Sequence, residues 1–247
     1  MSESPQDTFL SHLFELRDRL IRVLVVFIVL FFTSYLWPTW PVLYSLFAQP
    51  LMAALPAGGQ MISTDVVGVF LVPMKIAALT SFLIMLPYVL YQAWAFVAPG
   101  LYQHEKKFVL PLVMSSTLLF FAGMAFAYFL IFPTIFKFMA SFAPQGVAWM
   151  TDIEKYFGFA LSMFVVFGIT FETPVVVVLL VKMGFISVEK LKDIRPYVFV
   201  GAFVIGAIFT PPDVLSQFLL AVPLYILYEA GIFVAQIFVG QKPEAET

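Results

Sequence analysis

Long apolar runs decide what this chain can become. A helix that crosses a bilayer needs about 20 mostly apolar residues, and stretches of that kind recur from one end of the sequence to the other. Hydropathy predicts six spans over the 247 residues, at 20–37, 72–98, 108–139, 156–182, 197–211 and 214–239. Composition supports this reading: 62% of residues are hydrophobic and 11% charged, with a mean hydropathy of +0.99, whereas a soluble domain carries roughly a quarter charged residues. The expected class is an all-α integral membrane protein with six transmembrane helices. With no cysteine, disulfides and thiol chemistry are excluded and the redox compartment stays open.

The opening segment MSESPQDTFLSHLFELRDRL contains four acidic residues, and the apolar run after it ends in Trp37-Pro38-Thr39-Trp40-Pro41 with no small-residue cleavage site nearby. This argues for a retained anchor and against a cleaved signal peptide. The connecting segments alternate in charge. One set holds Arg17, Arg19, Arg22, Lys106, Lys107, Lys182, Lys190, Lys192, Arg195 and Lys242, ten of the thirteen basic residues, and the other holds Lys75, Lys137 and Lys155. By the positive-inside rule both termini are expected in the cytoplasm, which for a bacterial chain makes this a multi-pass inner-membrane protein.

Two spans are unusual. Fifteen residues separate Arg195 from Pro211, a helical rise of about 22 Å against a hydrocarbon core of roughly 30 Å, so the Thr210-Pro211-Pro212-Asp213 turn is expected below the outer surface. The third span, with Pro111 near its start and Pro133 near its end, is long enough to tilt or kink. Residues 38–71 form the one sizeable outer segment, read as a periplasmic cap. No internal repeat relates the two halves, so residues 1–247 are read as a single membrane domain; this weakens a transporter reading, because many transporters are built from repeated halves.

The polar residues narrow the function. His12 and His104 lie in cytoplasmic segments, and the sequence has no activated nucleophile, metal-ligand cluster or phosphate loop. No enzyme, cofactor or metal is expected. Glu172, in ITFETPVVVV, lies about 15 Å from the cytoplasmic end of the fourth span, near the membrane centre, where an ionised carboxylate costs about 2.5 to 3.5 kcal/mol. It serves either to bond a neighbouring helix or the carbonyls freed by Pro174, or as a docking point for a polar group of another helix or a transported species. Glu229, in YILYEAG, shares its span with Gln217, Tyr225, Tyr228 and Gln236, and an internal hydrogen-bonded cluster explains it equally well. Asp213 is placed to cap the last helix. Glu15 lies in SHLFELRDRL, an amphipathic pattern at the membrane edge, four residues before Arg19, so a surface ion pair is an alternative to any binding role. Glu105 stands in GLYQHEKK beside Lys106 and Lys107.

At these residues the sequence resembles a known family, TatC, the multispanning subunit of the twin-arginine protein translocase. The likeness is carried by HLFELRDRL, MISTDVVGVFLVPMK, PYVLYQAWAFVAPGLYQHEKK, FAYFLIFP, FGITFETPVVVVLL and RPYVFVGAFVIGAIFTPPDVLSQFLLAVPLYILYEAG, in family order from about residue 10 to 240. The resemblance implies a glove-like concave bundle with short fifth and sixth helices. It implies binding of twin-arginine signal peptides of folded exported proteins through Glu15 and Glu105, within patterns that include Leu16, Arg17, Leu20, Phe96 and Pro99. It also implies assembly with the single-span subunits TatA and TatB and with other copies of the chain, driven by the proton motive force. Glu172, Thr210, Asp213 and Glu229 are the positions expected to take partner helices. Membrane lipids are partners and nucleic acid is not. A proton-coupled small-solute transporter using Glu172 and Glu229, and a purely structural scaffold, are the competing readings.

Overall fold

The computed structural model describes residues 5–36, 40–55, 60–97, 109–142, 150–210 and 213–239. Five of its helices are long and apolar enough to cross a membrane, and a sixth apolar helix, Arg195–Phe209, is shorter. The chain divides into two compact units, residues 1–46 with 65–117 and residues 47–64 with 118–247.

In the first unit α1 (Pro5–Leu36) packs along α3 (Val66–Val97), the short α2 (Trp40–Met52) lying between them in sequence. Helix α1 starts well before the predicted span because Leu, Glu and Arg in SHLFELRDRL are good helix formers and Pro5 sits in the first turn, where no donor is needed. Ile76, Ala77, Met85 and Leu86 are buried along α3. Where α1 and α3 meet, the Ser81 hydroxyl bonds the Ser34 hydroxyl at 3.2 Å. The Trp94 indole N–H donates to Ser116 Oγ at 2.9 Å, joining α3 to the first turns of α4 (Val109–Phe126). Helix α3 begins at Val66, so residues 66–71, expected in the outer cap, belong to the helix; with Val66, Val67, Val69 and Phe70 exposed, this first stretch suits lipid better than water.

The second unit contains the third span from residue 118 onward and the fourth to sixth spans. Helix α4 runs through a widened π turn, Ala127–Ile131, into α5 (Phe132–Ser141). Pro133 has no N–H and its ring opposes the carbonyl of Phe129; the extra residue in the turn, with Phe132 N–H bonded to Ala127 O, absorbs that clash without ending the helix. The outer strands β1 (Met61–Ile62) and β2 (Thr151–Asp152) pair in parallel, Met61 with Thr151 and Ile62 with Asp152. Asp152 then caps α6 (Ile153–Phe171), its Oδ1 accepting from Glu154 N and Lys155 N at 2.9 and 3.1 Å. Its Oδ2 accepts the backbone N–H and hydroxyl of Thr64 at 2.9 and 2.6 Å. One carboxylate therefore ends the strand, starts the fourth span and ties down the chain entering the second.

The fourth span, expected as one helix, is two: α6 and α7 (Thr173–Lys182), with Glu172 at the joint. Helix α7 ends at Met183 with Gly184 in the left-handed region, φ 75°. The Gly184 and Phe185 amides bond the carbonyls of Val181 and Leu180, the reversed turn that glycine makes accessible. Short α8 (Val188–Asp193), capped by Ser187, leads to α9 (Arg195–Phe209) and α10 (Val214–Val239). The fifth span is short, as expected, at 15 residues. The sixth is not, because α10 continues unbroken through Pro223 for 26 residues, about 39 Å at 1.5 Å per residue.

Helix α10 is the pillar of this unit, packing on both α7 and α9. Val177, Val181, Leu191, Tyr228, Ile232 and Ala235 form one buried cluster, and Ala202, Ala221 and Leu224 another. Gly231 lets α10 approach α7 closely: a Cβ there would lie 2.9 Å from Val177 Cβ and 3.0 Å from Pro174 Cα. Such a stripe of small residues lets helices approach where lipid supplies no hydrophobic drive.

Candidate functional site

Residues 12–22 of α1 carry charge on a membrane-long helix, and the last turns of α3 hold them in place. Glu15 and Arg19 are one turn apart, the spacing at which side chains on a helix meet. Arg19 Nε and Nη2 both donate to Glu15 Oε1, at 2.9 and 2.6 Å. Its third nitrogen, Nη1, donates to Gln92 Oε1 of α3 at 2.8 Å. Glu15 Oε2 faces His12 Nδ1 at 3.9 Å, and the His12 ring stacks on Phe96 with centroids 4.4 Å apart. Thus α3 grips the end of α1 by one stacked pair and one guanidinium.

The remaining groups face outward. Arg17 bonds Asp18 Oδ1 through Nε and Nη2 at 2.9 and 2.8 Å, and its guanidinium lies 5.1 Å from the Phe14 ring centroid. Leu13, Phe14, Leu16 and Leu20 are all exposed, so apolar surface borders the charges. Glu15, Asp18, Arg19 and Arg22 line an open cavity of about 310 Å³. The Glu15 side chain is 39% exposed and that of Arg19 21%. A cationic peptide can therefore reach the acid, with the arginine lying deeper. Of the residues expected here, Glu15, Leu16, Arg17, Leu20 and Phe96 belong to one end of this helix pair, and Glu105 and Pro99 lie outside the described residues. Gln92 carried no sequence signal, being an amide in an apolar run 73 positions from its partner.

The second cluster follows the fourth span. Pro174 cannot donate to the carbonyl of Thr170, four residues back; the Thr173 hydroxyl donates to it instead, at 2.6 Å. The freed carbonyl is therefore satisfied by a threonine. Glu172 is 7% exposed, covered by its own chain and not open to a shallow groove.

The other expected docking residues have local partners. Thr210 Oγ1 donates to Gly206 O at 2.8 Å, closing α9. Asp213 Oδ1 accepts Ser216 N at 2.7 Å, so it caps α10. Glu229 Oε2 accepts Arg195 Nη2 at 2.7 Å, an ion pair across α9 and α10 that the sequence did not suggest. Tyr228, expected in a cluster with Glu229, instead donates its hydroxyl to Leu191 O at 2.7 Å. Among the described residues no group of acids, histidines or cysteines is arranged to hold a metal ion.

Comparison with known proteins gives one consistent result. The family model of TatC, described as Sec-independent protein translocase protein (TatC), matches residues 11–223. The Sec-independent protein translocase protein TatC of Escherichia coli (strain K12) is 47% identical over 246 residues, covering 100% of this chain and 95% of that protein. Its counterpart from Azotobacter chroococcum mcd 1 is 49% identical over 249 residues, covering 98% and 95%. A crystal structure of the twin arginine translocase receptor TatC superimposes with a TM-score of 0.81 at 36% identity, covering 92% of this chain and 98% of that one.

Proposed function

The chain belongs to the TatC family of Sec-independent protein translocase proteins, and from that premise we propose that it is the signal-peptide receptor and assembly core of a bacterial twin-arginine translocase. It lies in the inner membrane with both termini in the cytoplasm, so that the charged end of α1 meets newly made precursors. The observation that carries this reading is the geometry at Glu15: an accessible carboxylate, bordered by exposed leucines, that already accepts two guanidinium N–H groups on Oε1. A planar guanidinium fork suits a carboxylate better than a lysine ammonium does. The apolar rim of Leu16 and Leu20 suits the hydrophobic part of a signal peptide.

Glu105 is the second acid, and discrimination for an arginine pair comes from engaging both. The Asp213 region offers TatA and TatB a polar docking place in the membrane, and Glu172, covered by its own chain, takes a polar group of a partner helix only when that cover is displaced. An interhelical hydrogen bond there is worth about 1 to 2 kcal/mol at most, which suits reversible assembly. Glu229, held by Arg195, supports the α9–α10 hairpin on which a partner helix would lie.

Site-specific crosslinking tests the receptor role. Glu105→Ala should abolish crosslinking to a twin-arginine precursor while leaving the amount of membrane-inserted chain unchanged. Undiminished crosslinking would remove the assignment.

A further inference from the structure

The acid assigned to the incoming arginine is occupied. Arg19 holds Glu15 Oε1 with two nitrogens and keeps its third on Gln92, so the resting chain already contains the ligand chemistry it is meant to recognise. We propose that Arg19 is a built-in competitor for Glu15, which makes signal-peptide binding a guanidinium exchange and hastens release.

The geometry sets out the exchange. A guanidinium that docks as a fork uses both carboxylate oxygens, and Arg19 holds only Oε1; among the described residues Oε2 faces His12 at 3.9 Å. An arriving arginine engages Oε2 first. It gains Oε1 only as Arg19 withdraws, and Gln92 Oε1, already bonded to Nη1, retains the withdrawn side chain. Arg19 keeps its hydrogen bond to Gln92 throughout, and its partly exposed guanidinium meets solvent as it leaves Glu15. The reverse movement expels the peptide once cargo has crossed. Because full engagement of Glu15 requires Arg19 to leave Oε1, apparent affinity is reduced by the cost of breaking the Glu15–Arg19 pair. A partly exposed pair of this kind closes the site by a factor of about two to five.

The inference rests on the reading of Glu15 as a receptor group, and the test separates the two. The full chain in bilayer discs is titrated with a synthetic signal peptide bearing paired arginines, and association and dissociation rates are followed for wild type, Arg19→Gln, Arg19→Lys and Glu15→Gln. Arg19→Gln should tighten binding about two- to fivefold, mainly by slowing dissociation. Arg19→Lys, which keeps the charge and loses the fork, should tighten it about twofold. Equal or weaker binding in both Arg19 variants, with Glu15→Gln defective, overturns the exchange and leaves the receptor reading standing. Tightening in Arg19→Gln alone reduces the effect to net charge and also overturns it. Full binding by Glu15→Gln removes the receptor reading and this inference with it. On the unaltered chain, the ¹⁵Nε resonance of Arg19 should move when peptide is added, and an unmoved resonance at saturation overturns the exchange even if a variant inserts poorly.

Discussion

The Thr173 hydroxyl lies 2.6 Å from the Thr170 carbonyl oxygen and supplies the hydrogen bond that Pro174 cannot. In a lipid-embedded helix a freed carbonyl has no water to turn to, so this one side chain makes the break in the fourth span affordable and leaves Glu172 at the joint. Thr173→Val keeps the shape and removes the donor. It should lower stability by about 1 to 2 kcal/mol, read as a lower thermal midpoint in detergent, and Thr173→Ser should recover most of the loss.

Gly231 governs how closely α10 approaches the same joint. In Gly231→Val the new side chain would meet Val177 Cβ at 2.9 Å and the Pro174 backbone at 3.0 Å. Forcing atoms into a packed contact costs about 1 to 3 kcal/mol. Gly201→Ala, where nothing lies within 4 Å of the new Cβ, is the matched control and should be neutral. Equal midpoints for the two variants would contradict the packing described.

The Asp152 carboxyl is held far below its ordinary value of 3.8, first by the Thr64 hydroxyl, then by the amides of Thr64, Lys155 and Glu154. Because the folded value is the lower one, the folded chain binds fewer protons than the unfolded chain in acid. The contribution is whole above about pH 4 and declines as pH falls toward the folded value. Protection of the Glu154 and Lys155 amides from hydrogen exchange should therefore persist from pH 7 to pH 5 in wild type. It should be lost at pH 7 in Asp152→Ala, with the difference between the two chains shrinking in strong acid.

Arg195 and Glu229 should behave as a structural pair. Their side chains are 40% and 31% exposed, so solvent screening keeps the interaction weak. Glu229→Arg alone should destabilise the α9–α10 hairpin modestly, and the exchange Arg195→Glu with Glu229→Arg should restore it. Thermal midpoints of the two single variants and the double variant complete the cycle; strict additivity would show that the pair contributes nothing.

Much of the local chemistry was readable along the chain. Glu15 and Arg19 stand one helical turn apart, so their pairing needs only the rise of α1. Asp213 stands at the start of an apolar run, so its capping role needs only the geometry of a helix end. Pro133 announced a kink in the third span but not its form, a widened turn, whereas the fourth span, expected as one helix, is interrupted for one residue at Glu172, just before Pro174. Pattern also misjudged where the second span begins, because Val66 to Leu71 are apolar but follow a turn that hydropathy assigned to the outer cap.

What sequence alone determined is the set of lipid-crossing segments, since the cost of leaving water or entering it is a property of each residue and adds along the chain. What only the tertiary structure decided is which polar groups meet. Gln92 reaches Arg19 across 73 positions, Glu229 reaches Arg195 across 34, and Thr64 reaches Asp152 across 88. No periodicity encodes such distances; they are set by how the helices pack, because in an apolar medium each buried donor and acceptor must find whichever partner the folded chain brings within about 3 Å.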